Sequence, residues 1–383
     1  MRAIQWDEFW WNNITGPHTV VVNVVTALLE NKMVIIRVPS DLPWRHSMRS
    51  EIYRNFTERS SFRNIVIEPI DVSDDNPDDM EPGRYILERF ASSTVKRGYR
   101  EKSKVSIQDY ISAKNVIQNR VIWIKGLNKK TTEQWINFCR GFSKRSVAEG
   151  LLVLEVHGDA LTFESGHLKV IDFSEFVSSY DVQLFNSFVL DEQHCYTDNW
   201  KKYISTCSAF VCDIDAEISE FLIRIVDFRK ESVVDGIKRI VEMPDFLRRG
   251  ENGCSNHVLW NYRNGNFSEL EHRIWSAQIQ VLFPVIELER VSMIHKYEKE
   301  IQEILENETI TQYNEILKNA LDVELGTLCY LMSRKNYDGF YSLYIPNETD
   351  REWIRFLHDC RNKLAHVSCC SPEQIYALLN KMN

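Results

Sequence analysis

Four short runs of near-continuous apolar residues within the first 170 positions constrain this chain more than any other feature. They are Met33-Val34-Ile35-Ile36-Arg37-Val38, Asn64-Ile65-Val66-Ile67-Glu68-Pro69-Ile70, Val121-Ile122-Trp123-Ile124 and Leu151-Leu152-Val153-Leu154-Glu155-Val156. Each has the length and the β-branched content of a strand. Successive strand residues point to opposite sides of a sheet, so a run without polar alternation must be covered on both faces. Between the runs the apolar spacing is helical: Thr19 to Asn31 (Val20, Val24, Leu28), Met48 to Phe56, Arg84 to Phe90 and Thr132 to Arg145. Alternating strands and helices predict an α/β domain over residues 1–175, a mostly parallel sheet with helices on both faces.

From residue 176 onward the pattern is helical. Ile214 to Arg229 and Val233 to Val241 read as helices, and the polar stretch that includes Gly250-Glu251-Asn252-Gly253 and Asn264-Gly265-Asn266 marks a boundary. An intervening helical region over 176–264 is therefore expected, followed by an all-α bundle over 265–383. In that bundle Leu270 to Leu305 shows long helical periodicity that Pro284 should kink or split. Helices are predicted at Thr311 to Met332, Thr349 to Ala365 and Pro372 to Met382, the last with Ser371 as N-cap.

The remaining composition narrows the class. Nowhere do 18 apolar residues run consecutively, and Met1-Arg2-Ala3-Ile4-Gln5-Trp6 lacks the basic-then-apolar pattern of a signal peptide. The nine cysteines are odd in number and irregularly spaced, unlike a disulfide framework. A soluble, cytoplasmic chain without membrane attachment is the expectation. His194-Cys195 with Cys207 and Cys212, and Cys254 with His257, do not have the paired spacing of a structural zinc site. The acidic stretch Asp71 to Glu81, with its Asn76-Pro77 and Pro82-Gly83 punctuation, reads as a solvated loop. No metal and no cofactor is predicted.

An α/β domain invites a search for a phosphate-binding loop, which needs glycine-rich backbone followed by Lys and Ser/Thr. Gly16-Pro17-His18-Thr19 is the nearest fragment, but Pro17 removes an N–H and no lysine follows. Val121 to Lys125 ends in a lysine where an NTPase would carry a carboxylate. The domain resembles a degenerate P-loop NTPase, and nucleotide hydrolysis is not expected of it.

The sharpest local signal is Phe356-Leu357-His358-Asp359-Cys360-Arg361-Asn362-Lys363-Leu364-Ala365-His366. Arg361 and His366 form an R-x4-H pair with Asn362 directly after the arginine. In its helical setting this resembles the signature of the HEPN superfamily, whose all-helical domains carry such a motif late in the chain. The resemblance covers residues 265–383. It implies a metal-independent endoribonuclease, a bacterial defence or toxin effector, with two motifs from a homodimer meeting in one site. Histidine titrates near neutral pH, and arginine is a permanent cation with a planar fork, so His366 is the acid/base candidate and Arg361 the clamp on phosphorane charge. Five residues of helix separate the two by about 140°, whereas Asn362 shares a face with His358 and with His366. The alternative is a noncatalytic HEPN-like subunit of a multicomponent defence complex, in which Asn362 and His366 satisfy buried polar groups at a helix end.

Charge adds one more candidate surface. Residues 96–148 carry thirteen Lys and Arg against three acids, a surplus of ten, so the remainder carries −19 of a total −9. Lys96, Arg97, Arg100, Lys102, Lys104, Lys129 and Lys130, interleaved with Tyr99, Tyr110, Trp123 and Trp135, have the composition of an RNA-binding face. A solvated face, or one that docks acidic protein surface, accounts for the same charges.

Overall fold

The computed structural model describes residues 4–60, 65–73, 81–100, 104–143, 146–160, 164–251, 256–306, 317–335 and 339–381. The chain forms two compact units. The first comprises residues 1–185 with 214–217 and 250–254, and the second comprises 186–213, 218–249 and 255–383.

The first unit is built on a five-stranded sheet: β1 (Met33–Val38), β2 (Val66–Asp71), β3 (Arg120–Lys125), β4 (Leu151–His157) and β5 (Leu168–Asp172). All four pairings are parallel, and the order is β2-β3-β4-β1-β5. Consecutive residues Met33 to Ile36, Val121 to Ile124 and Leu151 to Val156 are buried, so both faces of the three central strands are covered, as their unbroken apolar runs predict. Helices α1 (Trp6–Asn13), α2 (Thr15–Leu29), α3 (Arg45–Arg59), α4 (Pro82–Phe90), α5 (Ser93–Gly98), α6 (Ile107–Ala113), α7 (Lys129–Arg140) and α8 (Phe173–Phe176) fill the connections. β2 is an edge strand, largely exposed, with Pro69 in its middle and Glu68 and Asp71 along it. β5 has no apolar run and is held by β1 on one side, with Met33 to Arg37 in register with Leu168 to Asp172.

The second unit is helical. Helices α9 (Ser179–Gln193) and α11 (Ala216–Ile225) begin with residues of the first unit, up to Phe185 and Glu217, and their remainders belong to the second, with α10 (Asp198–Cys212), α12 (Val233–Val241), α13 (Val258–Arg263) and the 30-residue α14 (Phe267–Lys296). Then come α15 (Glu298–Glu306), α16 (Leu325–Ser333), α17 (Glu348–Ala365) and α18 (Pro372–Lys381). α14 packs on α10, α17 and α18, and α16 packs on α17. Pro284 does not split the helix: α14 runs through it to Lys296, with Tyr297 as the C-cap. Val281, Leu282, Val285 and Ile286 around the proline are all buried. Each such side chain contributes about 1.5–3 kcal/mol by leaving water, enough in sum to offset the roughly 3 kcal/mol a mid-helix proline costs. Tyr297 instead turns its hydroxyl onto the buried Asp350 of α17. Of the predicted helix Thr311 to Met332, residues 311–316 lie outside the described residues; among the rest a 3₁₀ turn spans Ala320–Asp322 and α-helix starts at Leu325. Ser371 caps α18 as expected: Gln374 N–H donates to Ser371 Oγ (3.4 Å) while Ser371 N–H donates to Gln374 Oε1 (3.0 Å).

Candidate functional site

In a parallel sheet ligands bind beyond the carboxyl ends of the strands. In the first unit that places attention on the connection from β1 to α3, Pro39-Ser40-Asp41-Leu42-Pro43-Trp44, rather than on Gly16. Two prolines remove two N–H donors from it. Trp44 sits in the left-handed region (φ 43°), a costly conformation for a bulky residue. Three ties hold it there: its ring packs 5.6 Å from Phe185, its carbonyl accepts from Trp11 Nε1 (3.2 Å), and its N–H donates to Glu217 Oε2 (2.9 Å). The start of α3, where a phosphate would be cradled, thus already holds a carboxylate of the same chain. α2 repeats the arrangement, with Gly16 N–H donating to Asp181 Oδ1 (3.1 Å).

The first residue of α3, Arg45, is equally engaged. It donates to the carbonyls of Pro39 (3.0 Å) and Ser40 (2.7 Å) and to Glu155 Oε1 (3.0 Å). Glu155 on β4 is 4% exposed. It also takes a two-pronged Arg49 (2.9 and 2.8 Å) and the Trp123 indole N–H (3.0 Å). Burial alone would raise this carboxyl, but the hydrogen bonds and charge of Arg49, the charge of Arg45 and the Trp123 N–H outweigh it and hold the group below its ordinary value. Lys125, at the end of β3, pairs with Asp71 (2.9 Å). Hydrogen bonds from Ser73 and then from Lys125 bring Asp71 down to about 2. The Trp44 N–H, Arg45, Arg49, the Trp123 indole and Lys125 thus all have counterparts within the chain.

The motif on α17 is different. The helix is continuous through Ala365, with Ile354, Leu357, Cys360 and Leu364 buried. Relative to that face Arg361 lies on the flank, half-buried, and His366 lies on the far side, exposed. Arg361 reaches Asn362 Oδ1 at 3.5 Å and Glu324, just before α16, at 3.7 Å. Asn362 Nδ2 and His358 Nε2 are 3.0 Å apart, the i,i+4 contact the spacing predicts. His366 is the C-cap; its backbone N–H bonds Asn362 O (3.0 Å), while its imidazole has no hydrogen-bond or ionic partner among the described residues. The structure therefore gathers Arg361, Asn362 and His358, and leaves His366 apart from Arg361 within one chain.

The helix end itself is firmly built. Ser368 N–H returns to Lys363 O (2.8 Å) and Val367 N–H to Leu364 O (3.3 Å), the two bonds of a Schellman motif. The left-handed residue such a motif requires is Val367 (φ 58°), where glycine is usual. Trp275 Nε1 from α14 donates to Leu364 O (2.7 Å), fixing the last turn from outside.

The basic segment is thinner than its sequence. Lys96 pairs with Glu88 (3.2 Å), Arg120 with Glu68 (2.6 Å) and Lys125 with Asp71. Arg97, Arg100, Lys104 and Lys129 are exposed with no acidic partner among the described residues; Lys130 is exposed and engaged, and Lys102 lies outside the described residues. Trp123 and Trp135 are 1% and 4% exposed, so neither can stack on a base, which corrects their assignment to this face. Tyr99 and Tyr110, half-buried, pack at 5.2 Å. Composition could not separate core tryptophans from surface ones, although the position of Trp123 within an apolar run was a signal of burial.

No group of three His, Cys, Asp or Glu is placed to hold a metal among the described residues. His257 caps α13 through Nδ1, accepting from Leu259 N–H (3.2 Å), and Cys254 lies outside the described residues, as do Asp74, Asp75, Asp78 and Asp79. No helix among the described residues is long and apolar enough to cross a membrane. Set beside protein families, curated proteins and solved structures, the chain matches none of them.

Proposed function

We propose that the chain is a metal-independent endoribonuclease of the HEPN type, a defence or toxin effector, acting as a homodimer through its C-terminal bundle. The observation that carries this reading is His366: an exposed imidazole on a rigid helix end, without an internal partner among the described residues. A histidine that merely satisfied a buried polar group would be buried with it. Arg361 supports the reading less directly. Its contact to Glu324 is long and Glu324 is mostly exposed, so a phosphate could displace the carboxylate at little cost. Because α17 holds Arg361 and His366 about 140° apart, a second copy has to bring its own motif opposite the first. In that arrangement one imidazole deprotonates the 2′-OH or protonates the leaving oxygen, and the guanidinium balances phosphorane charge.

The first unit is read as a scaffold resembling a degenerate P-loop NTPase that does not hydrolyse nucleotide. Glu217 on the Trp44 N–H and Asp181 on the Gly16 N–H support this. Arg97, Arg100, Lys104 and Lys129, exposed and without an acidic partner among the described residues, are its candidate contacts to RNA phosphates.

Purified chain incubated with total RNA in EDTA tests the proposal against Arg361→Ala and His366→Ala variants. Cleavage by the wild type that both variants lose is the expected result. No cleavage by a folded, dimeric wild type would instead favour the noncatalytic subunit of a defence complex, in which the Arg361–Glu324 pair is structural.

A further inference from the structure

The connection from α16 to α17 displays aromatic rings on a pinned backbone. Where the chain leaves α16, Lys335 and Tyr341 form an antiparallel bridge. Ser342 N–H donates to Arg334 O (2.8 Å) and Leu343 N–H to Leu331 O (3.0 Å), which lays the returning segment along the end of α16. Arg351 of α17 donates to the carbonyls of Ile345 (2.6 Å) and Pro346 (3.0 Å). Leu343 and Ile345 are each 1% exposed and anchor the segment, while Tyr344 between them is 66% exposed. Phe340 and Tyr341 are 72% and 48% exposed. The rings therefore face water on a backbone that is tied down on both sides of them.

Cations lie among these rings. Lys335 Nζ sits over the Tyr341 ring, 5.3 Å from its centroid, and the Arg334 guanidinium over the Tyr330 ring at 5.7 Å. The centre of a surface built to dock another protein is depleted in lysine. Rings interleaved with Lys and Arg suit instead a ligand that repeats flat π-faces and phosphates at short intervals. We propose that Phe340, Tyr341 and Tyr344, with Arg334 and Lys335, bind single-stranded RNA by stacking its bases, as a platform separate from the α17 motif. The bases of a duplex are stacked on one another and are not offered to such rings. Every base has a π-face, so the platform supplies affinity and orientation rather than choice of sequence.

The platform lies within reach of the motif. Glu324, 3.7 Å from Arg361, immediately precedes α16, and Arg334 immediately follows it. The nine residues of α16, at about 1.5 Å each, hold those two ends about 15 Å apart. At about 3.4 Å per stacked nucleotide, a strand seated on Arg361 reaches the rings within about five nucleotides. A role in presenting substrate to Arg361 and His366 rests on the ribonuclease reading, whereas the binding itself does not.

Fluorescence anisotropy of the full chain tests this with a labelled 2′-O-methyl RNA of about twelve nucleotides, which lacks the nucleophile for internal transesterification and so reports binding alone. Phe340→Ala and Tyr344→Ala are each expected to weaken binding about 5–150-fold, the range for losing one stacked base. Tyr344→Phe keeps the ring and should keep the affinity. Lys335→Gln should lower the salt slope by about 1, and the same sequence as a duplex should bind more weakly. No binding by the wild type, or unchanged affinity in the Phe340→Ala, Tyr344→Ala double variant, would overturn the proposal. So would a double variant that sediments as a monomer where the wild type is a dimer while each chain keeps its affinity, since a second copy would then cover the rings. Cleavage of unmodified RNA by the wild type separates the two readings. Ring-dependent binding without cleavage sinks the ribonuclease and leaves the platform standing, and cleavage with binding indifferent to the rings does the reverse.

Discussion

The β1–α3 connection and the end of α17 are both rich in polar side chains, and they differ in where those side chains find partners. Around β1–α3, Arg45, Arg49, Trp123 and the Trp44 N–H converge on Glu155 and Glu217, and the α2 N-terminus is met by Asp181. At the end of α17 the backbone is fully tied down while the His366 imidazole faces solvent. Polar groups paired inside the fold rigidify it, whereas an exposed side chain on a rigid backbone stays available to a ligand, which is what the proposed function asks of His366. A list of charged residues cannot make this distinction, whereas a list of their partners can.

Substitutions on the two sides should therefore separate activity from stability. The largest effect is expected at the exposed end: Arg361→Ala and His366→Ala each reduce RNA cleavage by about 10²–10⁴-fold, the range for loss of an acid/base or charge-stabilising group. For His366→Ala, urea unfolding should shift by no more than about 0.5 kcal/mol. A large stability loss with unchanged cleavage would erase the contrast. Glu155→Gln should do the reverse, costing about 3–5 kcal/mol in denaturant unfolding because two guanidinium groups lose their buried counter-charge. An unchanged midpoint would show that water already answers Arg45 and Arg49.

Smaller effects sharpen the same boundary. Val367→Gly relieves a left-handed β-branched residue and should stabilise by about 0.5–1 kcal/mol, read as a raised melting temperature. The smallest effect concerns Asp71. Its carboxyl, at about 2, lies below its unfolded value of roughly 3.9. Its contribution is therefore present above pH ~4 and lost as pH falls toward 2. Because the side chain is 48% exposed, Asp71→Asn should cost less than about 1 kcal/mol at pH 7, with the deficit shrinking in unfolding measured below pH 3.

The central strands were legible in sequence because burial on both faces leaves no polar alternation, and Met33 to Val38 and Leu151 to Val156 advertise it. β5 was not: Leu-Lys-Val-Ile-Asp is short, mixed and held by one neighbour, so its pairing is decided by tertiary context. The continuation of α14 through Pro284 escaped for the same reason, since packing on either side overrides a local rule. At the site, the Arg361, Asn362 and His366 spacing was readable because it is local. The Glu217 carboxylate at Trp44 and the Trp275 indole on Leu364 O join residues far apart in sequence, and no local pattern announces them.

One edge of the sheet has a consequence for how copies of this chain can associate. β2 is open on its outer side, yet Pro69 contributes no N–H, and Glu68 and Asp71 carry charges already tethered to Arg120 and Lys125 of β3. A foreign strand aligning there would meet a missing donor and a row of charges with little to gain by moving. Growth of the sheet from molecule to molecule is discouraged at that margin by one proline and two tethered acids.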